Sequence, residues 1–261
     1  MQERIYSMNT ILKIFLYTLL TVSLVANELT WQKFEDALNS AKQDDKILLV
    51  SFYTDWCGWC RKMDNETYTN DEVKNLLNKD FVTVKINPEK SGTINLPSGT
   101  ITFKQLASEL GVRSFPSTAF LTSELLLIDV VPGYYEPSNM KTLLNFMSDG
   151  LFKNLSFQDY QLFTEAKKLN ETNPSHKLNY VIGYFQLTFF DDKEAAYKNF
   201  ETALNKDLIT KEIYAALHFA SSENSNKSKE WLKKAESLGY TEKSELDELV
   251  INFVKEIFAT R

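Results

Sequence analysis

The chain is 261 residues long with 43% hydrophobic and 25% charged side chains, ordinary values for a globular protein and enough length for one or two domains. Its two cysteines, Cys57 and Cys60, stand three apart, which excludes a disulfide framework, a four-cysteine zinc site and an iron–sulfur cluster within one chain. A formal net charge of −6, with basic and acidic residues interspersed, argues against a nucleic-acid partner, and eight glycines with six prolines leave no room for a turn-rich all-β architecture.

Residues 14–26, IFLYTLLTVSLVA, carry no charge, follow Arg4 and Lys13, and end in small residues. A bilayer span needs about 20 apolar residues, so this shorter run has the layout of a secretory signal peptide, with cleavage expected after Ala26 or Ser23. An uncleaved anchor is the alternative. Residues 1–26 are therefore set apart as a signal, and the protein is expected to be exported, to a bacterial periplasm, with no membrane contact beyond that segment. In an oxidising compartment a lone, closely spaced cysteine pair points to redox work.

Trp31, Phe34, Ala37, Leu38 and Ala41 recur at helical spacing and predict a helix over 30–42 with Thr30 as N-cap. Residues 46–53 form an apolar run of the length of a buried strand. Helices are predicted over 58–67 and 71–79, the second capped by Asn70, and a strand over 81–87. Residues 88–102 lack an apolar period and read as a loop. A helix over 103–110 ends at Gly111. Strands over 117–122 and 125–131 are spaced as a hairpin about Ser123 and Glu124. A helix over 137–149 carries Met140, Leu143, Leu144 and Met147 on one face. These elements make a central sheet with helices on both faces, and the domain is expected to span 27–152.

Residues 153–261 show no convincing strand. Ala196, Phe200 and Ala203 have the spacing with which the second helix of a tetratricopeptide unit packs on its neighbour, and Ser228, Leu232 and Ala235 repeat it 32 residues later. Tyr180, Tyr184 and Leu187 suit the first helix, and a capping helix is expected over 242–258. The expectation is an all-α, tetratricopeptide-like domain, with an irregular helical bundle as the alternative.

A thiol attacks as thiolate, so a working cysteine needs its pKa lowered. Cys57 falls at a strand-to-helix junction, where unpaired N–H groups and the helix dipole favour a negative sulfur, and Arg61 and Lys62 add positive charge. Such sites bring a thiol pKa to roughly 3.5–7.5. Cys57 is the expected attacking thiol and Cys60, one turn on, the resolving one. His176 and His218, far from the pair, read as surface or packing residues, and Asp64 and Glu66 as residues that solvate the helix.

The segment LLVSFYTDWCGWCRKM resembles the active-site segment of thioredoxin-fold proteins, GVRSFPSTAFL resembles the loop carrying that family's cis-proline, and VVPGYY resembles its glycine turn after the last strand. The likeness covers residues 29–150 and is strongest to exported thioredoxin-like proteins and periplasmic disulfide-interchange reductases. It implies an α/β thioredoxin-like domain with a central mixed sheet, and a thiol–disulfide oxidoreductase without cofactor or metal. Carried over by position, Cys57 and Cys60 are the catalytic pair, Trp56 the flanking indole and Pro116 the cis-proline. Phe115 would present its backbone to a substrate strand, and Trp59 would contact substrate or pack beside the site. Tyr134 and Tyr135 would line the same groove or pack.

Two departures stand out. Ser51 occupies the place of the family's buried acid, six residues before the first cysteine, leaving proton transfer to Asp55 or water. The dipeptide between the cysteines is Gly58-Trp59, which leaves the redox direction open, with reductase or isomerase favoured. The expected partners are protein thiols and disulfides, a redox partner that regenerates the pair, and a protein bound by the helical domain. The alternative is a partner-binding helical-repeat protein whose cysteine pair is a redox-sensitive or Cu(I)-binding latch.

Overall fold

The computed structural model describes residues 28–96, 99–206, 208–221 and 225–258. The segment read as a signal lies outside the described residues. The chain divides into two compact units, one running through Asp149 and the other from Gly150.

In the first unit the elements are α1 (Phe34–Asp44), β1 (Ile47–Phe52), α2 (Gly58–Lys62), which continues into a π turn (Met63–Thr67), α3 (Asp71–Asp80), β2 (Phe81–Ile86), β3 (Thr93–Leu96), β4 (Gly99–Thr102), α4 (Phe103–Glu109), β5 (Ser117–Leu121), β6 (Leu127–Pro132) and α5 (Pro137–Ser148). Four strands form a sheet in the order β2-β1-β5-β6, while β3 and β4 make a separate hairpin. The apolar run of β1 is central, parallel to β2 and antiparallel to β5. Leu48, Val50 and Phe52 share one core with Phe34, Ala37 and Ala41 of α1 and with Ile94 and Leu106. Because side chains alternate along a strand, Leu49 and Ser51 face the opposite side.

The expected mixed sheet is present, with local differences that have physical reasons. Residues 30–32 are not the first turn of α1. Instead Gln32 donates its N–H to the Thr83 carbonyl at 2.9 Å and pairs with Val84, while the Thr30 carbonyl accepts from Thr83 Oγ1 at 2.8 Å. The free edge of β2 offers those backbone partners, so the chain extends along it and Lys33 becomes the N-cap, without a side-chain cap bond. The expected loop over 88–102 contains the β3–β4 hairpin, which keeps only Ile94 fully buried and so shows no apolar period. Between β5 and β6 the connection runs from Thr122 to Leu126 rather than through two residues. Thr122 Oγ1 there accepts the N–H groups of Glu124 and Leu126, and Leu125 sits at φ 64°.

The second unit consists of a short 3₁₀ turn (Leu151–Lys153) followed by α6 (Phe157–Thr172), α7 (His176–Thr188), α8 (Lys193–Asn205), α9 (Lys211–Ala220), α10 (Asn226–Ser237) and α11 (Ser244–Phe258). Helices α7 and α8 pack as a pair, as do α9 and α10, and α11 lies against α7 and α9. Ala196, Phe200 and Ala203 are fully buried, and Ser228 and Ala235 are buried too. A Cβ at Gly183 would meet the Phe200 ring at 2.8 Å, so only glycine lets α7 approach α8 this closely. His218 Nδ1 lies 2.8 Å from Ser228 Oγ, a link between α9 and α10. Among the described residues no helix is long and apolar enough to cross a membrane.

Gly183→Ala should lower stability by about 1–3 kcal/mol through overpacking against Phe200, despite the better helix propensity of alanine, as read by chemical denaturation. Glu245 is held at about 2, below its usual 4.5, chiefly by its hydrogen bond from Lys211 and then by Thr241. A depressed carboxylate pKa stabilises the fold above the unfolded value and loses that contribution as pH falls. The stability gap between the native chain and Glu245→Gln should therefore close between pH 4.5 and about 2, measured by unfolding at stepped pH.

Candidate active site

Strand β1 stops at Phe52, and the chain turns through Tyr53 to Trp56 into α2. Cys57 is the N-cap of α2, with extended backbone at φ −73° and ψ 106°, and its Sγ accepts the Cys60 N–H at 3.0 Å. Cys57 and Cys60 are joined as a disulfide with Cα atoms 5.3 Å apart. The two residues are equally hidden, 4% and 3% exposed, so accessibility does not rank them as nucleophiles. The Cys57 sulfur takes an amide of the first helical turn, a donor that has no partner within the helix.

The nearby cations are engaged elsewhere. Arg61 Nη1 donates to the Asp55 carbonyl at 2.8 Å. Lys62 Nζ lies 5.2 Å from the Trp59 ring centre and 4.8 Å from that of Tyr134, and pairs with Glu66 at 3.8 Å. The expected assistance of Arg61 and Lys62 to the thiolate is thus redirected to the surface rims of the site.

Two exposed indoles flank the disulfide, Trp56 at 66% and Trp59 at 58% exposure. Trp56 meets Phe115 edge to face at 6.2 Å and donates Nε1–H to the Glu89 carboxylate at 3.0 Å. Trp59 leans on Tyr134 at 5.5 Å, and Tyr134 donates its hydroxyl to Glu66 at 2.8 Å, a bond that raises the phenol pKa. The Phe115–Pro116 peptide is cis, and the Pro116 carbonyl accepts the Gly133 N–H at 2.8 Å, with Gly133 at φ 94°. Three segments distant in sequence thereby meet at one end of the sheet. Tyr135 contributes its backbone, its carbonyl accepting Thr67 Oγ1–H at 2.6 Å.

Beneath the π turn lies a polar row that the strand periodicity did not announce. Lys85, Ser51 and Thr118 are in register across β2, β1 and β5. Tyr68 donates its hydroxyl to Ser51 Oγ at 3.2 Å, and burial pushes its pKa up to about 12, against hydrogen bonds to Ser51 and Thr118. Trp31 packs edge to face on Tyr68 at 4.9 Å. Asp64 pairs with Lys85, whose ammonium lies over the rings of Tyr53 and Trp31. Asp64 and Glu66, expected to solvate the helix, each also have a specific partner, Lys85 for half-buried Asp64 and Tyr134 for exposed Glu66. Asp55, a candidate proton acceptor in the sequence, accepts from Asn87 Nδ2 at 3.3 Å and pairs with Lys90 at 3.2 Å. A signal for the polar row did exist: Ser51, Lys85 and Thr118 each interrupt an apolar strand.

Among the described residues no group of three or more His, Cys, Asp or Glu is placed to hold a metal ion.

A family model described as a thioredoxin-like domain matches residues 34–148. Spermatogenesis-associated protein 20 of Homo sapiens is 29% identical over 121 residues, 46% of this chain and 15% of that protein. Disulfide bond reductase DsbH of Chlamydia pneumoniae is 28% identical over 112 residues, 40% of this chain and 63% of that protein. A solved thioredoxin-fold protein from Helicobacter pylori superposes with a TM-score of 0.40 at 18% identity, covering 45% of this chain and 83% of its own. The chain thus spans a small part of its human relative and under two thirds of the chlamydial one.

Tyr68→Phe should cost about 1 kcal/mol at neutral pH, the worth of one buried hydrogen bond. A raised phenol pKa stabilises the fold below pH 10 and loses that contribution as pH rises toward 12, so the difference from the native chain should shrink over that window in thermal unfolding.

Proposed function

We propose that this chain, whose residues 34–148 form a thioredoxin-like domain, is an exported thiol–disulfide oxidoreductase that works as a reductase or isomerase. The observation that carries the reading is the Cys57 sulfur at the N-cap of α2, taking the Cys60 N–H and bonded to the Cys60 sulfur. In the reduced protein the Cys57 thiolate attacks a substrate disulfide, one substrate sulfur leaves as thiolate, and a Cys57–substrate disulfide forms. Cys60 then attacks the Cys57 sulfur, the second substrate sulfur leaves, and the intramolecular disulfide returns. The substrate gains two electrons and the pair loses two.

Trp56, Trp59, Phe115 and Pro116 serve as the substrate-binding rim. The exposed indoles and their bracing by Phe115 and Tyr134 support this role, because rigid aromatic rings bury much area at low entropic cost. The reductase direction draws support from the name of the chlamydial relative, and a separate dithiol partner must restore the reduced pair after each turnover. Export is supported by the apolar run over 14–26 behind Arg4 and Lys13. The helical unit, with the small buried residues Ala196, Ala203, Ser228 and Ala235 at tetratricopeptide-like spacing, offers a surface for a protein partner.

Replacing Cys60 with Ala should leave Cys57–substrate disulfides unresolved, visible as thiol-sensitive adducts on non-reducing gels of the host's export compartment. Cys57→Ala should give none. A folded, exported Cys60→Ala protein that carries no adducts would overturn the reading.

A further inference from the structure

Resolution of the mixed disulfide needs a place for the Cys60 proton, and Ser51, lacking an acid, does not supply one. We propose that Asp64, held in position by Lys85, accepts that proton and passes it to solvent. This rests on the exchange reaction argued above.

The placement follows from the helix. Helix α2 continues without a break into the π turn, with the Tyr68 N–H donating to the Met63 carbonyl at 3.0 Å. Residues four apart on a helix share a face, so Asp64 stands one turn beyond Cys60, half-buried at the edge of that face. Cys60, Met63 and Thr67 are buried along it. Both Asp64 and Tyr68 reach the polar row of the sheet, Asp64 to Lys85 and Tyr68 to Ser51, and the Cα of Lys85 is in register with Ser51. Asp55 is a weaker candidate. Its carboxylate precedes Cys57, at the other end of α2, and is taken by Asn87 and Lys90.

Asp64 also has an exit. A cleft of about 510 Å³ is lined by Glu28, Trp31, Asp64, Tyr68, Lys74 and Lys85, among others, so the carboxylate borders both the buried helix face and open solvent. The charged and titratable groups facing it are Lys85 from β2, Tyr68 from the end of the π turn, Lys74 from α3 and Glu28 from the segment ahead of α1. Lys74 is paired with Asp71 at 3.0 Å, which leaves Lys85 as the cation that holds the Asp64 carboxylate in place. In the step itself the Cys60 S–H proton moves to an Asp64 oxygen as the Cys60 sulfur bonds to the Cys57 sulfur. The bond from Cys57 to substrate breaks, and the substrate sulfur leaves as thiolate. Asp64 then releases the proton into the cleft.

The full chain, reduced and mixed with one equivalent of 5,5′-dithiobis(2-nitrobenzoate), separates the two chemical steps. Attack by Cys57 releases the first thionitrobenzoate in a second-order phase, and attack by Cys60 on the mixed disulfide releases the second in a first-order phase. In Asp64→Asn the second phase should slow about tenfold or more at neutral pH, its pH profile should shift upward toward that of a free thiol, and the first phase should change less than twofold. Asp64→Glu should restore both rate and profile. In Lys85→Met, which retains the acid but removes the partner that holds it, the second phase should slow and its pH profile should move the same way as in Asp64→Asn. An unchanged second-phase pH profile in a folded Asp64→Asn protein, or in Lys85→Met if the first variant does not fold, overturns the proposal. Failure of the native chain to show any second phase would instead overturn the exchange reading itself.

Discussion

Strand β1 is hydrogen-bonded on both sides, to β2 in parallel and to β5 in antiparallel register, and this double pairing fixes the point from which the chain turns into α2. A strand held on both edges and buried from Leu48 to Phe52 has no freedom to slip, because a one-residue shift would exchange its two faces. The helix that follows therefore starts at one place, and Cys57 is the residue that caps it. The sulfur's acceptance of the Cys60 amide is the local consequence of that global constraint. The antiparallel pairing to β5 brings the start of that strand, and with it Pro116, to the same end of the sheet.

The underside of the helix is secured in a different currency. Where the upper surface of the site is aromatic, the attachment of the π turn is polar, through Asp64 to Lys85 and Tyr68 to Ser51 of the sheet and through Thr67 to the Tyr135 carbonyl in the loop after β6. Three directional contacts over five residues position α2 more tightly than dispersion alone would, since hydrogen bonds fix angle as well as distance. The π turn carries Asp64 to Lys85 on β2 and ends at Tyr68, which reaches Ser51 on the neighbouring β1.

The rims of the site tie exposed carboxylates to the aromatic rings. Glu89 receives the Trp56 indole N–H, and Glu66 receives the Tyr134 hydroxyl and pairs with Lys62. Each exposed indole is thus braced by one ring and one polar network, which keeps large apolar area presented without collapse onto the core. In the helical unit the opposite strategy holds, with small residues at Gly183, Ala196 and Ala203 allowing helices to approach closely around Phe200 and Tyr180.

The apolar runs of β1, β2 and β5, the face of α5 and the helices beyond Gly150 were legible in the sequence, because burial imposes a period on residues adjacent in the chain. So was the cysteine pair at a strand-to-helix junction, with Trp56, Trp59, Phe115 and Pro116 as its neighbours by resemblance. The path of residues 30–32 along β2, the β3–β4 hairpin and the π turn were not, since each is stabilised by backbone partners supplied from elsewhere in the fold. By itself the sequence determined which residues could carry thiol chemistry and that a helix would begin at them. Only the tertiary structure decided where the charges of Arg61, Lys62, Asp55 and Asp64 are spent, because the partner of a long polar side chain is chosen by what the fold brings within reach.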